Sequence, residues 1–318
     1  MHRRNRLGLL AKRGRSVPVV GLAAHLFVRT GVRATYRLHD RFLSNPEARK
    51  RYEQRPPELD AGQAAIVEQL REEGLAVVPF DALFGADLWG DLAGSSAEFA
   101  RGVEADGSSG AGTKTKKPYL LRAYAPGPVE LPPANPWLRL GAAPRLLDVV
   151  NAYLGLWSKL SYVDQWYTLP NPEAAARVAS QRWHRDYNDK YLLKVFLYMT
   201  DVDAGAGPFE YVPGSMIGGQ YAHVFPWQIF GEDLYPPEGE LQQKIPADAS
   251  RLLTGPTGTL ILCDTTGFHR GGFAVERPRV MGVWNYVSAA SLASLSERNF
   301  TVLGPPADAP EPVRYALG

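Results

Sequence analysis

Residues 180–186 read Ser180-Gln-Arg-Trp-His-Arg-Asp186, and residues 267–272 read Gly267-Phe-His-Arg-Gly-Gly272. The first segment places His184 two residues before Asp186, and the second segment supplies His269. Two imidazoles and one carboxylate on one face of a metal ion form the facial triad typical of non-haem Fe(II) sites, which leaves coordination positions open. Each histidine alone is also typical of a strand end or a turn. The full set in this order predicts a metal site.

The segments around these residues are short and rich in β-branched and aromatic side chains, with turn signals between them. This spacing is typical of an antiparallel double-sheet barrel, that is, a double-stranded β-helix of the jelly-roll or cupin-like kind. The predicted strands are Lys159–Leu169, Leu192–Met199, Phe209–Val212, Gly258–Cys263 and Val280–Val287. We therefore predict a mainly β fold with additional α structure.

Helical patterns dominate the chain before this region, so N-terminal helices are expected to buttress the barrel. One of them, Ala61–Glu73, follows an N-cap type of residue and ends at a glycine. The others are predicted over Val17–Thr30, Asn45–Gln54, Asp81–Phe99 and Pro144–Gly155. We divide the chain into a basic helical N-terminal extension (residues 1–60) and a barrel domain (residues 61–318) with a lid-like insert at 218–250.

The composition suits one large globular unit. The chain has 318 residues, of which 45% are hydrophobic, and a net charge of +2 gives no general case for nucleic-acid binding. Its single cysteine, Cys263, cannot form an intrachain disulfide and fits a reducing compartment, so we expect a cytoplasmic protein. The sequence does not indicate an oligomeric state.

The N-terminus is basic, because no acidic residue precedes Asp40. Three interpretations are open: a tail and helix packed on the domain, an amphipathic helix that makes peripheral contact with anionic lipid, or a cleaved signal. The apolar run at residues 17–28 is too short to span a bilayer.

Over roughly residues 70–290 the chain resembles the phytanoyl-CoA dioxygenase group of Fe(II)/2-oxoglutarate-dependent oxygenases. The segments that carry the resemblance are the two quoted above, Lys194-Val-Phe-Leu-Tyr-Met-Thr-Asp-Val202, Gly207-Pro-Phe-Glu-Tyr-Val-Pro-Gly-Ser215, Gly255-Pro-Thr-Gly-Thr-Leu-Ile-Leu-Cys-Asp264 and Arg277-Pro-Arg279. The resemblance implies that His184, Asp186 and His269 bind iron. It also implies that Arg279 binds the C5 carboxylate of 2-oxoglutarate.

Two further residues compete for roles at the co-substrate. Arg277 would share a strand face with Arg279, but the Pro-Arg pair at the strand start matches the family better, so we favour Arg279. Gln165, on the strand before the His-x-Asp segment, is predicted to contact 2-oxoglutarate, and an ordinary strand role fits it equally well. Because position 186 carries a carboxylate, halogenation is disfavoured.

The resemblance implies Fe(II), 2-oxoglutarate and O2 as cofactor and co-substrates. The expected reaction is hydroxylation of an unactivated C–H bond in a small-molecule, lipid-linked or glycan-type substrate, with release of succinate and CO2. Two alternatives stay open: a non-catalytic metal- or ligand-binding barrel, and a redox-neutral cupin-type metalloenzyme. The intact triad with its arginine argues against the non-catalytic barrel, since a decayed site should lose one of these four groups. Arg279 argues against the redox-neutral enzyme, which has no need of a carboxylate clamp at that position.

Candidate substrate contacts are divided between the mouth, a cationic wall and a lid. Alternation along Val280–Val287 predicts that Met281, Val283 and Asn285 share the inward face. The other candidates are Tyr187, Asn188 and Asp189 at the mouth; Lys114–Lys117, Tyr119 and Arg122 in the wall; and Trp227 and Phe230 in the lid. A surface-loop role fits each of these others as well.

Overall fold

The computed structural model describes residues 30–105, 117–125, 127–174, 176–229, 235–237, 239–291, 298–304 and 308–318. Four of the sequence predictions fall wholly or almost wholly outside these ranges: the basic segment before residue 30, the helix at 17–30, the lysines at 114–116, and Phe230. Within the described part of the chain, no helix combines the length and the apolar character needed to cross a membrane.

Helices precede and flank the sheets. Residues 30–38 are helical and continue through a π-helical turn, His39–Leu43, into the first numbered helix. The helices are α1 (Ser44–Gln54), α2 (Ala61–Glu73), α3 (Ala86–Ala105), α4 (Pro136–Gly141), α5 (Pro144–Leu154), α6 (Glu240–Lys244) and α7 (Glu311–Leu317). The predicted start of α3 was wrong, because residues Phe80–Ala82 form a separate 3-10 turn before it.

The boundaries of α2 follow from its capping residues. The Asp60 side chain accepts a hydrogen bond from the Gln63 backbone N–H, and the Gln63 side chain accepts one from Asp60, which is a capping box. Gly74 ends the helix in the left-handed conformation. The predicted bounds of this helix are confirmed.

The strands form a double-sheet barrel, which confirms the predicted fold class. They are β1 (Leu75–Pro79), β2 (Leu120–Arg122), β3 (Val129–Leu131), β4 (Lys159–Thr168), β5 (Leu192–Tyr198), β6 (Phe209–Tyr211), β7 (Arg251–Leu253), β8 (Thr259–Cys263), β9 (His269–Arg270), β10 (Arg279–Val287) and β11 (Phe300–Val302). The larger sheet is antiparallel with the order β1-β8-β5-β10-β4-β2. The smaller sheet has the order β7-β6-β9, and β3 pairs with β11 separately.

The larger sheet separates two environments. On β5, Leu193, Val195 and Leu197 are buried in the cluster that contains residues of α2 and α5. The alternate residues Phe196 and Tyr198 belong to a second cluster, shared with the smaller sheet. Because successive side chains on a strand point to opposite faces, the helices cover one face and the candidate site occupies the other.

The helix before α1 is fastened to the loop that follows Asp186. The Tyr36 hydroxyl donates to Asp189 Oδ1 at 2.6 Å, and Lys190 Nζ lies 2.6 Å from Asp40 Oδ2. Residues 30–54 therefore pack directly against the barrel, next to the segment that carries His184 and Asp186.

Gly207 lies in close contact with the backbone of another segment, and its substitution tests how rigid that contact is. Its φ is +70°, and a Cβ placed there would lie 2.4 Å from the backbone nitrogen of Ala274. Gly155 has a similar φ of +68° but no described heavy atom within 4 Å of such a Cβ. We expect Gly207→Ala to lower the free energy of unfolding by about 3 kcal/mol, through left-handed strain and a backbone clash. Gly155→Ala should cost about 1 kcal/mol from strain alone.

Urea denaturation of both variants measures the difference. Equal losses of stability would show that the backbone of Ala274 moves aside without cost, and that the contact at Gly207 is not rigid.

Candidate metal centre

The two histidines face each other across an antiparallel bridge at the edge of the smaller sheet. The His184 N–H donates to the His269 carbonyl oxygen, and the His269 N–H donates to the His184 carbonyl oxygen, both at 3.0 Å. The Asp186 N–H donates to Thr265 O at 2.8 Å and extends this pairing. Side chains two residues apart on an extended chain share a side, so His184 and Asp186 both point at His269.

The residue between the ligand candidates points the other way. Arg185 donates to the carbonyl oxygens of Thr266 (2.6 Å) and Val224 (3.0 Å), and its guanidinium lies 3.8 Å from the centre of the Phe268 ring. Phe268 and Val224 belong to an apolar cluster with the α6 segment. Arg185 thus connects two backbone segments near the triad, one at Val224 and one at Thr266.

The potential ligand atoms of His184, Asp186 and His269 all lie within 4.8 Å of one another. His269 Nε2 is 3.6 Å from Asp186 Oδ2. His184 Nδ1 lies 2.9 Å from the Arg182 carbonyl oxygen, and His269 Nδ1 lies 3.0 Å from that of Gly267. A carbonyl oxygen only accepts, so each Nδ1 carries the proton and each Nε2 lone pair is available to a metal.

The protonation states suit a divalent cation. Burial lowers the pKa of His184 to about 4 and moves that of His269 well below its usual value, so both imidazoles are neutral at pH 7. Burial acts to raise the pKa of Asp186, but the positive charge of Lys194 and its hydrogen bond to the carboxylate oppose this, and that pKa lies below its usual range. Two neutral imidazoles and one carboxylate are the donor set that imidazole- and carboxylate-binding metals such as Fe(II) accept.

Arg279 lies in the same pocket as the triad. The pocket has a cavity of about 80 Å³, and the Arg279 side chain within it is buried. Arg279 Nη1 donates to the Gly207 carbonyl oxygen at 2.6 Å, and Nη2 lies 3.4 Å from Thr168 Oγ1. Its Nε is buried and has no hydrogen-bond partner among the described residues.

A bound carboxylate would supply the acceptor that the Arg279 Nε–H lacks. A guanidinium presents its N–H donors as a fork, and a carboxylate can accept two of them at once. The competitor Arg277 is exposed and pairs with Asp203 at 2.7 Å. Of the two arginines, only Arg279 reaches the pocket.

Gln165 is not brought to the pocket, contrary to its predicted contact with 2-oxoglutarate. It lies on the face of β4 that meets α3, and its side-chain amide is 3.3 Å from Ser95 Oγ. Tyr162, Trp166 and Thr168, at the alternate positions of β4, line the pocket side. Thr168 thus occupies the position beside Arg279.

Lys194 was missed as a site residue, although its sequence carries a signal. It is the one charged residue in the apolar strand Leu192–Tyr198, and its ammonium nitrogen lies 2.5 Å from Asp186 Oδ2. A charge within an otherwise apolar strand is expected to have a partner. Met281, Val283 and Asn285 line the same side of the sheet, as predicted.

The insert brings two aromatic side chains to the triad. Trp227 Nε1 donates to the Asp186 carbonyl oxygen at 2.7 Å. Tyr235, which the sequence analysis did not single out, stacks on the His184 ring with centroids 5.2 Å apart. Asp189, predicted at the mouth, is instead fully buried and accepts hydrogen bonds from Tyr36 and from the backbone of Ser288.

Asp264 supports the loop before His269. It accepts hydrogen bonds from the Tyr153 and Thr266 hydroxyls, each at 2.6 Å, and burial raises the pKa of its carboxyl to about 6. The folded state therefore holds this proton more tightly than the unfolded chain, where an aspartate titrates near pH 4. The stability that Asp264 contributes is fully present below that value and is lost as the pH rises through about 6.

We therefore expect a pH-dependent difference between the wild type and Asp264→Asn, which cannot ionise. The stability advantage of the wild type should shrink by roughly 3 kcal/mol between about pH 4 and about pH 7, since one pKa unit is about 1.4 kcal/mol. Urea denaturation of both proteins at each pH gives this difference. The other carboxylates contribute equally to the pH dependence of both proteins, so their contributions cancel. A constant difference would mean that Asp264 is ionised throughout.

No protein-family model matches the chain, and no curated protein matches it in sequence. Among solved structures, EctD from S. alaskensis with 2-oxoglutarate and 5-hydroxyectoine is similar at 20% identity and a TM-score of 0.50, over 73% of this chain and 77% of that one. The epimerase SnoN in complex with Fe3+, alpha ketoglutarate and nogalamycin RO matches at 19% identity and a TM-score of 0.48, over 79% and 93%. At this identity, the likeness to EctD shows that the chain shares its fold.

Proposed function

We propose that the chain is an Fe(II)- and 2-oxoglutarate-dependent dioxygenase that hydroxylates an unactivated C–H bond of a small molecule and releases succinate and CO2. One observation carries the proposal: the triad of His184, Asp186 and His269 shares a pocket with Arg279, whose buried Nε has no partner among the described residues. The proposal also includes membership of the phytanoyl-CoA dioxygenase group. The substrate class that it covers extends to lipid-linked and glycan-type molecules.

Iron with 2-oxoglutarate and O2 supplies the oxidising power, and the protein supplies binding and orientation. Both histidines present Nε2 because backbone carbonyls hold the protons on Nδ1. Arg279 would bind the distal carboxylate of 2-oxoglutarate, and its guanidinium also lies 3.4 Å from Thr168 Oγ1. Because Arg279 and the triad line the same pocket, the keto-acid end of a co-substrate held by Arg279 could reach the metal ligands.

The aromatic side chains of the insert limit access to the centre. Tyr235 covers the His184 ring, and Trp227 holds the backbone of Asp186. Excluding water from such a site strengthens the charge interactions within it and limits side reactions. We infer that Tyr235 and Trp227 shield the reacting atoms while the substrate is bound.

Anaerobic titration with Fe(II) and then 2-oxoglutarate tests the proposal. A weak visible metal-to-ligand charge-transfer band should appear with 2-oxoglutarate and not with succinate, which lacks the keto group. If iron binds and no band forms, the chelate does not exist. The non-catalytic barrel or the redox-neutral metalloenzyme would then account better for the triad.

A further inference from the structure

A second chamber opens beside the metal pocket. Its cavity is about 300 Å³, and it shares Lys117, Trp166 and Lys194 with the pocket that contains the triad. A cavity of this size is at the lower end of those that hold small molecules. A ligand in the chamber would therefore lie directly next to the metal ligands.

The chamber wall carries three basic side chains, of which one is neutralised. Arg122 Nε donates to the buried carboxylate of Asp164 at 2.7 Å, and Tyr162 donates to the same carboxylate. Arg122 and Asp164 thus form a pair without net charge. The remaining cations are Lys117 and Lys194.

Lys117 has no described carboxylate within ion-pair distance, and the carboxylate beside Lys194 is a candidate metal ligand. The only described carboxylate within ion-pair distance of Lys194 is Asp186, whose charge a bound metal would share. For Lys117 the described chain offers an aromatic ring, that of Trp166, with the ammonium 5.9 Å from the ring centre. With Fe(II), Asp186, 2-oxoglutarate and Arg279 in place, the formal charges of those four groups sum to zero, and the two lysine charges remain.

These two charges disfavour each other. Burial, followed by the positive charge of Lys194, lowers the pKa of Lys117 to about 8. Partly buried cations cost free energy unless they are paired, and an anion placed between them would reverse this cost. Lysine supplies a compact point charge for oxyanions.

Asn285, which lies opposite Lys194 on the neighbouring strand, gives an independent indication. Asn285 Nδ2 donates to Ser161 Oγ at 3.0 Å, while its Oδ1 is buried and has no partner among the described residues. Unsatisfied buried acceptors are rare and call for a donor. The chamber therefore presents two cations and, beside Lys194, a hydrogen-bond acceptor, and the Tyr162 and Trp166 rings line it as well.

We propose that this chamber is the substrate site and that the substrate carries an anionic oxygen group, a carboxylate or a phosphate, bound by Lys117 and Lys194. The inference rests on the proposed function and adds the substrate class to it. The aromatic walls and the Asn285 acceptor indicate a small organic anion that also has a hydrogen-bond donor.

The test uses phenylacetate, phenyl phosphate and the neutral phenylacetamide as probes. Each is titrated anaerobically into the full-length protein loaded with Fe(II) and saturating 2-oxoglutarate, with binding measured by calorimetry and by the shift of the charge-transfer band. At least one anion should bind about tenfold or more tightly than phenylacetamide, which corresponds to about 1.4 kcal/mol. Comparing the two anions separates a carboxylate site from a phosphate site.

Lys117→Met is the decisive variant, because Lys117 does not touch a metal ligand. It should lose about tenfold in affinity for the preferred anion and keep the charge-transfer band. Lys159→Met is the matched control, since Lys159 is also partly buried over an aromatic ring, that of Tyr315, but lies outside the chamber. Its affinity for the anions should be unchanged.

Once the band has formed with 2-oxoglutarate, three results would overturn the inference: equal binding of anions and amide, no binding of either anion, or loss of the band because the anions displace 2-oxoglutarate. Absence of the band would overturn the proposed function instead. In that case the same titrations with the Zn(II)-loaded protein decide whether the two lysines bind anions.

Discussion

Replacing His184 with alanine should abolish the Fe(II)–2-oxoglutarate band and weaken metal binding by more than about 100-fold. Loss of a residue that merely orients a metal ligand already costs about 10- to 100-fold, and this substitution removes a ligand itself. The remaining Asp186 and His269 would leave an incomplete set, with Lys194 in contact with the carboxylate. Metal affinity measured by competition with a chelator gives the loss directly.

The matched control for this variant is His223→Ala. His223 is an exposed histidine in the insert, away from the triad. Its removal should leave the band and the metal affinity unchanged. A His184→Ala protein that still formed the band at wild-type iron concentrations would show that iron binds elsewhere, and the triad would lose its assigned role.

Arg279→Ala should raise the 2-oxoglutarate concentration needed for half-maximal turnover by roughly 100-fold or more. Truncating one partner of a buried, hydrogen-bonded charge pair costs about 2 to 5 kcal/mol, and about 3 kcal/mol corresponds to this factor. Metal affinity should change little, because the guanidinium contacts Gly207 and Thr168 rather than the ligands. Uncoupled release of succinate against 2-oxoglutarate concentration measures the effect.

Arg277→Ala provides the comparison two residues away. Arg277 is 54% exposed and pairs with Asp203 at the surface, so its loss should leave the 2-oxoglutarate requirement unchanged. If both variants behaved alike, or if Arg279→Ala altered only substrate binding, the carboxylate clamp would be misassigned. A redox-neutral enzyme would then be the better interpretation.

The features that sequence could predict are local or periodic. His184 and Asp186 are two residues apart on an extended chain, so their shared direction follows from strand geometry alone. The bounds of α2 follow from the Asp60 cap and Gly74 for the same reason. The barrel fold was predictable because its strands are short, β-branched and separated by turn signals.

The error at Gln165 shows where such reasoning fails. Choosing a face of β4 requires the phase of its alternation, and the strand is buried on both faces, so its polarity pattern does not reveal that phase. Thr168, an odd number of residues further along, is the one that faces Arg279. A one-residue difference in phase exchanges every side chain between the helices and the pocket.

Long-range contacts were beyond the reach of the sequence for another reason. Asp189 was predicted at the mouth because it follows the metal-ligand segment in sequence, but its partner Tyr36 lies 153 positions away. Nothing in either local segment indicates that pairing. Tyr235 is similar, since nothing in the sequence around it indicates that its ring stacks on His184.

The reciprocal hydrogen bonds between His184 and His269 give the metal a mechanical role. Each histidine donates its own amide proton to the carbonyl oxygen of the other, at the edge of the smaller sheet, where local opening is easiest. An ion bound by both imidazoles would link these two backbone segments through their side chains. Exchange of those two amide protons with deuterium would therefore slow when metal binds, and would record occupancy of the centre without any turnover.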